Sequence, residues 1–205
     1  IDDTEERVSL YTNLGRAYFQ KKQSYQAMNC FQKANRILIT EPHKDEGFIM
    51  ENWKQMGKVH FGAGEYEYAR ELYNDALEMS SRIFEEDDDH VLAIHHDIAL
   101  TYCRERNYAE GLNIMEDVLI KKKKSGEADL YLAKIHLDMC SMYIKVRSIR
   151  KVRTHLQYAV DVMDEIGVPG DHPYVRERRR YERKLMKFTE EMAPIPSERV
   201  VALQR

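Results

Sequence analysis

The sequence predicts an all-α protein, a right-handed solenoid of helical hairpins with a C-terminal capping helix. Three observations predict it. Apolar residues make up 43% of the 205 positions and charged ones 33%, with only nine Gly and five Pro. That composition favours long, highly charged amphipathic helices over sheets. The chain also repeats itself: "YTNLGRAYFQKKQSYQAMNCFQKA", from Tyr11, lines up with segments beginning at Trp53, His95 and His136, at offsets of 42, 42 and 41 residues. Within this alignment, columns of small residues stand beside columns of large apolar ones, as closely approaching helices require.

The small columns are Gly15, Gly57, Ala99 and Cys140, then Ala27, Ala69 and Gly111 with Val152 in the fourth unit, then Ala34, Ala76 and Ala159 with Val118 in the third. The large columns are Leu14, Met56, Ile98 and Met139; Tyr18, His60, Tyr102 and Tyr143; and Phe31, Tyr73, Met115 and Leu156. Apolar residues keep helical spacing on both sides of a short break, such as "GAGEY" at 62–66 and "RERNY" at 104–108, so each unit is a hairpin of two helices. Neither helix buries its stripe alone, and the hairpins must stack.

The expected organisation follows: an N-terminal extension over 1–7, hairpins over about 8–45, 46–88, 89–126 and 127–166, a capping helix over 167–191, and an extended or disordered tail over 192–205. Pro173 suits the first turn of the cap, and the many charges of "HPYVRERRRYERKLMKFTEEM" suit the soluble end of an array. The chain opens on Ile1, which is expected of a piece of a longer protein.

These columns resemble the tetratricopeptide repeat, W-x2-L-G-x2-Y followed by A-x3-F and a final small residue. The first unit carries Tyr11, Leu14, Gly15, Tyr18, Ala27, Phe31 and Ala34; the second carries Trp53, Met56, Gly57, His60, Ala69, Tyr73 and Ala76. The third and fourth are more degenerate, with His95 and His136 at the aromatic position, and all four lack the closing proline. The period of 42, with "EDDDHVLAIHHDIALTY" and "GDHPYVRERRRYERKL" as joins, is similar to the kinesin light chain subgroup and related spindle-orientation adaptors. The resemblance covers about residues 8–190.

What the resemblance implies is a non-enzymatic interaction scaffold, a cytoplasmic and cytoskeleton-associated adaptor, binding an extended or helical peptide along a concave groove lined by the first helix of each hairpin. By register the lining residues are Asn13, Arg16 and Gln20 (with Thr12); Lys54, Gln55, Lys58 and Phe61; His96, Asp97 and Arg104 (with Leu100); and Asp138 and Lys145 (with Ser141). Arg16, Lys54 and Lys58 make one half basic, while Asp97 and Asp138 bring acid further on, which suits a mixed-charge partner. Asn13 matches an asparagine that holds a peptide backbone in such grooves. Thr12 and Asp97 depart from the set that clamps a chaperone's terminal carboxylate. His96 beside Asp97 suggests pH-sensitive binding.

Other chemistries fit the pattern less well. "DDDHVLAIHHDIALTYC", residues 87–103, gathers metal-ligand residue types, but His95, His96 and Asp97 leave a helix about 100° apart and cannot converge on one ion. The pair His136 and Cys140 is two ligands short of a closed site. An HD-type hydrolase needs further His and Asp on a compact bundle, so it stands far behind, and self-association is the nearer rival. No Walker loop, nucleophile elbow, H-E-x-x-H or dinucleotide fingerprint occurs, and no metal or cofactor is expected. Gly62 and Gly64 are read as the turn of the second hairpin rather than a phosphate loop.

Three cysteines, Cys30, Cys103 and Cys140, form no C-x-x-C pair and fall in apolar helices, as free thiols of a reducing compartment do. No apolar run approaches the roughly 20 residues that cross a bilayer. A net charge of −3 gives no overall bias toward nucleic acid. Lys121–Lys124 is read as a solvated helix end. Arg176, Arg179, Arg180, Arg183 and Lys187 recur at helical spacing on the cap, a basic stripe suited to an acidic ligand.

Overall fold

A computed structural model describes residues 3–40, 45–124 and 126–191. They form nine helices and no strand: α1 Asp3–Gln20, α2 Ser24–Thr40, α3 Glu46–Ala63, α4 Tyr66–Ser80, α5 Asp89–Arg104, α6 Tyr108–Lys124, α7 Leu130–Lys145, α8 Ile149–Glu165 and α9 Pro173–Glu191. The fold is all-α and of the predicted repeat type. Helix α1 starts at Asp3, inside the expected extension, and the tail from 192 lies outside the described residues. The chain divides into two compact units, Ile1–Gly126 and Glu127–Arg205.

In the first unit, α1 pairs with α2, α3 with α4 and α5 with α6, while α2 packs on α3 and α4 on α5. The small columns set how closely each pair approaches. A Cβ on Gly15 would lie 2.6 Å from Phe31 Cε1, and one on Gly57 would lie 2.5 Å from Tyr73 Cε1. Each ring therefore rests on the bare backbone of the glycine 16 residues earlier. In the third hairpin the glycine is on the other helix: a Cβ on Gly111 would meet the Ala99 carbonyl oxygen at 2.9 Å.

Local signals place the ends. Asp45, Asp88 and Asp129 cap α3, α5 and α7, accepting from the amides of Phe48, His90 and Leu132. The four hairpin turns share one backbone solution, a left-handed residue at Lys22 (φ 60°), Gly64 (φ 86°), Arg106 (φ 67°) and Arg147 (φ 56°). Only the second repeat spends a glycine there. Gly62, expected in that turn, instead lies in the last turn of α3.

The run Lys121–Lys124 also differs from expectation. Lys122 is buried and bonds both oxygens of Asp89 at 2.8 and 2.9 Å, and Lys121 meets Asp117 at 3.1 Å and Glu86 at 3.3 Å. The end of α6 is thereby pinned to the acidic turn that starts α5.

In the second unit α7 pairs with α8, and α9 packs on both. His136 is buried in the column of Tyr11 and Trp53, with its Nδ1 3.0 Å from Nδ1 of His155. The Cys140 thiol donates to the Val152 carbonyl at 3.6 Å, and burial, with Asp138 and Glu177 adding to it, pushes the thiol up to about 12. It serves as the small residue of that crossing.

Two substitutions test this architecture. Gly15→Ala drives a methyl into the buried Phe31 ring and lowers unfolding stability by roughly 1–3 kcal/mol in denaturant titration. Arg147→Gly relieves a left-handed non-glycine residue and raises stability by about 0.5–1 kcal/mol in the same assay.

Candidate functional site

Helices α1, α3 and α5 touch in series and form one face of the first unit. Repetition of the hairpin places the polar residues of these helices there, because their apolar stripes are spent on neighbours. Two hollows lie along the face. One, of about 570 Å³, is bordered by Arg16 of α1, by Asp45, Phe48, Glu51 and Lys54 at the start of α3, and by Phe84 and His90. The other, of about 280 Å³, is lined by Phe19, Lys58, Phe61, Tyr73, Asp97 and Leu100. Lys54 and Lys58 are one helical turn apart, so the hollows adjoin.

The polar side chains here are mostly committed to one another. Arg16 and Lys54 each approach the Glu51 carboxylate to 2.5 Å, and Gln55 donates to it at 2.7 Å. Burial alone would raise the Glu51 carboxyl, but Lys54, Gln55 and Arg16 together hold it below the usual carboxylate range. Lys58 faces Asp97 at 3.6 Å, and the Arg104 guanidinium lies 5.5 Å from the Phe61 ring centre. Tyr73, beneath the second hollow, has its hydroxyl pushed well above the normal range by burial and then by Asp97.

Of the residues read by register as groove lining, Asn13, Arg16, Gln20 and Arg104 are exposed, and Lys58, Phe61, Asp97 and Leu100 are half-buried at the second hollow. Asn13 donates to Ser9 within its own helix at 3.4 Å. Lys54 and Gln55 are buried with their head groups on Glu51.

His96 departs from expectation: it is buried, while Asp97 next to it reaches the hollow, so the two side chains do not face a ligand together. The basic half of the face is likewise corrected, because Glu51 sits between its cations. Glu51 was legible in part, being three and four residues before Lys54 and Gln55, but its contact with Arg16 crosses between helices. Phe19 and the Phe84–His90 stack, at 4.8 Å, were not foreseen.

On the second unit, Asp138 is buried and pairs with Lys134 at 2.9 Å, whereas Lys145 is exposed. The cap helix presents Arg176, Arg179, Arg180, Arg183 and Lys187 to solvent, and none of the five forms an ion pair among the described residues. Partial burial, with Arg180 and Lys145 nearby, holds the neighbouring Lys184 below the usual lysine range. Among the described residues, no group of three or more His, Cys, Asp or Glu is arranged to hold a metal, and no helix is long and apolar enough to cross a membrane.

This architecture defines the class, an α-helical repeat scaffold of the kind that serves protein interaction. Residues 8–37 and 48–119 match family models of the tetratricopeptide repeat, so these two stretches carry tetratricopeptide repeats. No curated protein matches the chain. Among solved structures, a kinesin light chain-type protein of Podosopora anserina with nearly identical TPR-like repeats is similar over 93% of this chain and 95% of its own, at 14% identity and TM-score 0.71.

Aspartyl phosphate phosphatase F from Bacillus subtilis is similar over 94% of this chain and 51% of its own, at 14% identity and TM-score 0.78. The Rap conjugation gene regulator of plasmid pLS20, solved with the Phr* peptide, is similar over 93% and 50%, at 13% identity and TM-score 0.71. This chain therefore spans about half the length of the last two. At such identities the likeness is one of fold, and that fold is the one resembling kinesin light chain repeats.

The Glu51 cluster generates a pH prediction. A carboxyl held below its unfolded value of about 4.3 stabilises the fold above that pH and stops doing so as pH falls through the folded value. Glu51→Gln should lower the melting midpoint at pH 7. It should also flatten the decline that the unaltered protein shows below about pH 4.3, in melts recorded from pH 7 to pH 3.

Proposed function

We propose that this protein is a non-enzymatic, cytoplasmic adaptor that binds a mixed-charge peptide segment of a partner protein along the α1–α3–α5 face. The observation that carries the reading is the second hollow. Phe19, Phe61 and Leu100 offer it an apolar lining with room for a side chain, and Lys58 and Asp97 stand at its edge with opposite charges. A partly exposed ion pair of this kind is worth about 0–1 kcal/mol. A peptide that offers an acid to Lys58 and a base to Asp97 exchanges it at little cost.

The face is built on helices whose backbones are already ordered, so the peptide carries most of the ordering entropy, and affinity in the micromolar range, about −8 kcal/mol, is the expected scale. The pLS20 regulator, solved with a peptide on a similar fold, supports the reading by analogy. A second surface for an acidic ligand is supported by the five exposed cations of α9.

Affinity purification with identification of bound proteins tests the main reading. Lys58→Glu and Phe61→Ala should each cut recovery of the captured partner by about tenfold, the loss of roughly 1.4 kcal/mol, with helical circular dichroism unchanged. Recovery equal to that of the unaltered protein for both variants would remove the second hollow from the binding site.

A further inference from the structure

Repetition gives the hairpin turns an internal standard for charge. Residues 145–153, "KVRSIRKVR", run from the end of α7 into α8 and carry five bases and no acid. Their counterparts at the repeat offsets are "RERNYAEGL" from Arg104, "GAGEYEYAR" from Gly62 and "QKKQSYQAM" from Gln20, with net charges of 0, −1 and +2. All four turns reach the same left-handed backbone, at Lys22, Gly64, Arg106 and Arg147. The turn is built equally well without the charge, so the +5 of the fourth repeat answers to something outside the hairpin. Lys145, Arg147, Arg150 and Arg153 are exposed, and none of the four forms an ion pair among the described residues.

This turn is joined to the basic stripe of the cap. Helix α9 packs on both α7 and α8 within the second unit. Arg176, Arg180, Arg183 and Lys187 are exposed and fall within about 60° of arc along about 16 Å of helix. Lys184, on the flank of that stripe, marks where the two basic segments meet. After burial, it is Arg180 on its own helix and Lys145 at the end of α7 that hold it below the usual lysine range. Cations gathered in this way repel one another, and an anion laid among them relieves the repulsion.

We propose that the α7–α8 turn and α9 together form one binding surface for a carboxylate-rich segment of a partner protein. The proposal rests on the reading of α9 as a surface for an acidic ligand and extends it to a second element and a particular ligand.

The kind of partner follows from composition. Most of the exposed cations are arginines, whose planar fork pairs with a carboxylate through two parallel hydrogen bonds. A single nucleic-acid strand is held by stacking on exposed rings, and neither residues 145–153 nor the α9 stripe includes an aromatic residue. Seating in a lipid surface takes a broad apolar face beside the basic one. Here the exposed large apolar side chains are only Val146 in the turn and Met186 on α9, among the described residues. An acidic chain segment needs neither rings nor an apolar face.

The test titrates the full chain with labelled deca-glutamate by fluorescence anisotropy in about 50 mM salt, where surface charge is weakly screened. Phosphatidylserine vesicles and an oligouridylate of equal length are titrated beside it. The peptide should bind with a micromolar dissociation constant and weaken as salt is raised. Arg150→Gln/Arg153→Gln, at the start of α8, and Lys145→Gln/Arg180→Gln, where the segments meet, should each weaken it by about fivefold or more. Their melting midpoints should stay unchanged, and Lys21→Gln/Lys22→Gln, in the turn of the first repeat, should bind as the unaltered chain does. If Arg150→Gln/Arg153→Gln has no effect, the two-element surface is overturned while the α9 stripe stands; if the unaltered chain does not bind, both fall. An equal loss with Lys21→Gln/Lys22→Gln shows unspecific attraction and overturns the surface. Tighter binding of the vesicles or the oligouridylate than of the peptide overturns the choice of partner.

Discussion

The contact on which the rest depends is that of a ring laid on a backbone without a side chain. Phe31 on Gly15 and Tyr73 on Gly57 bring the two helices of a hairpin together at one crossing point. Burying such a ring is worth about 1.5–3 kcal/mol, and most of that is lost if a Cβ holds the helices apart. The later repeats keep the approach by other means. In the third, Gly111 comes up against the Ala99 carbonyl; in the fourth, Cys140 is the small residue and its thiol is satisfied by Val152. Degenerate sequence at these positions therefore still leaves a small residue at each crossing.

Because the hairpins spend their apolar stripes on each other, what is left for the α1–α3–α5 face is polar, and polar groups brought close together pair. Glu51 collects Arg16, Lys54 and Gln55, and Asp97 takes Lys58. The face is thus nearly compensated, and its distinguishing features are apolar: Phe19, Phe61 and Leu100 around one hollow and Phe48 and Phe84 around the other. Selectivity on such a surface comes from which ion pairs a ligand can exchange and which side chain the hollow admits.

The same economy explains the two basic segments, the lysine run of α6 and the mostly arginine stripe of α9, which differ in the fold. Lys121 at the end of α6 finds Glu86 in the turn before α5, and Lys122 finds Asp89 at the first residue of α5. The five cations along α9 find no acid within reach among the described residues. One run is therefore structural, and the other keeps its charge for solvent or a ligand.

By itself the sequence determined the helical class, the 42-residue period, the ring and small-residue columns, and the hairpin turns, because each depends on periodicity and on residues near in the chain. It also placed Lys58, Phe61 and Asp97 on one face, since register carries a position from one repeat to the next. Tertiary structure decided which charges remained available. Arg16 meets Glu51 across 35 residues, and Lys122 meets Asp89 across 33. It also decided that His96 is buried while Asp97 is not. Pairing energies fall off over a few ångströms, and distances between helices are set by how whole hairpins pack, which no local pattern of residues encodes.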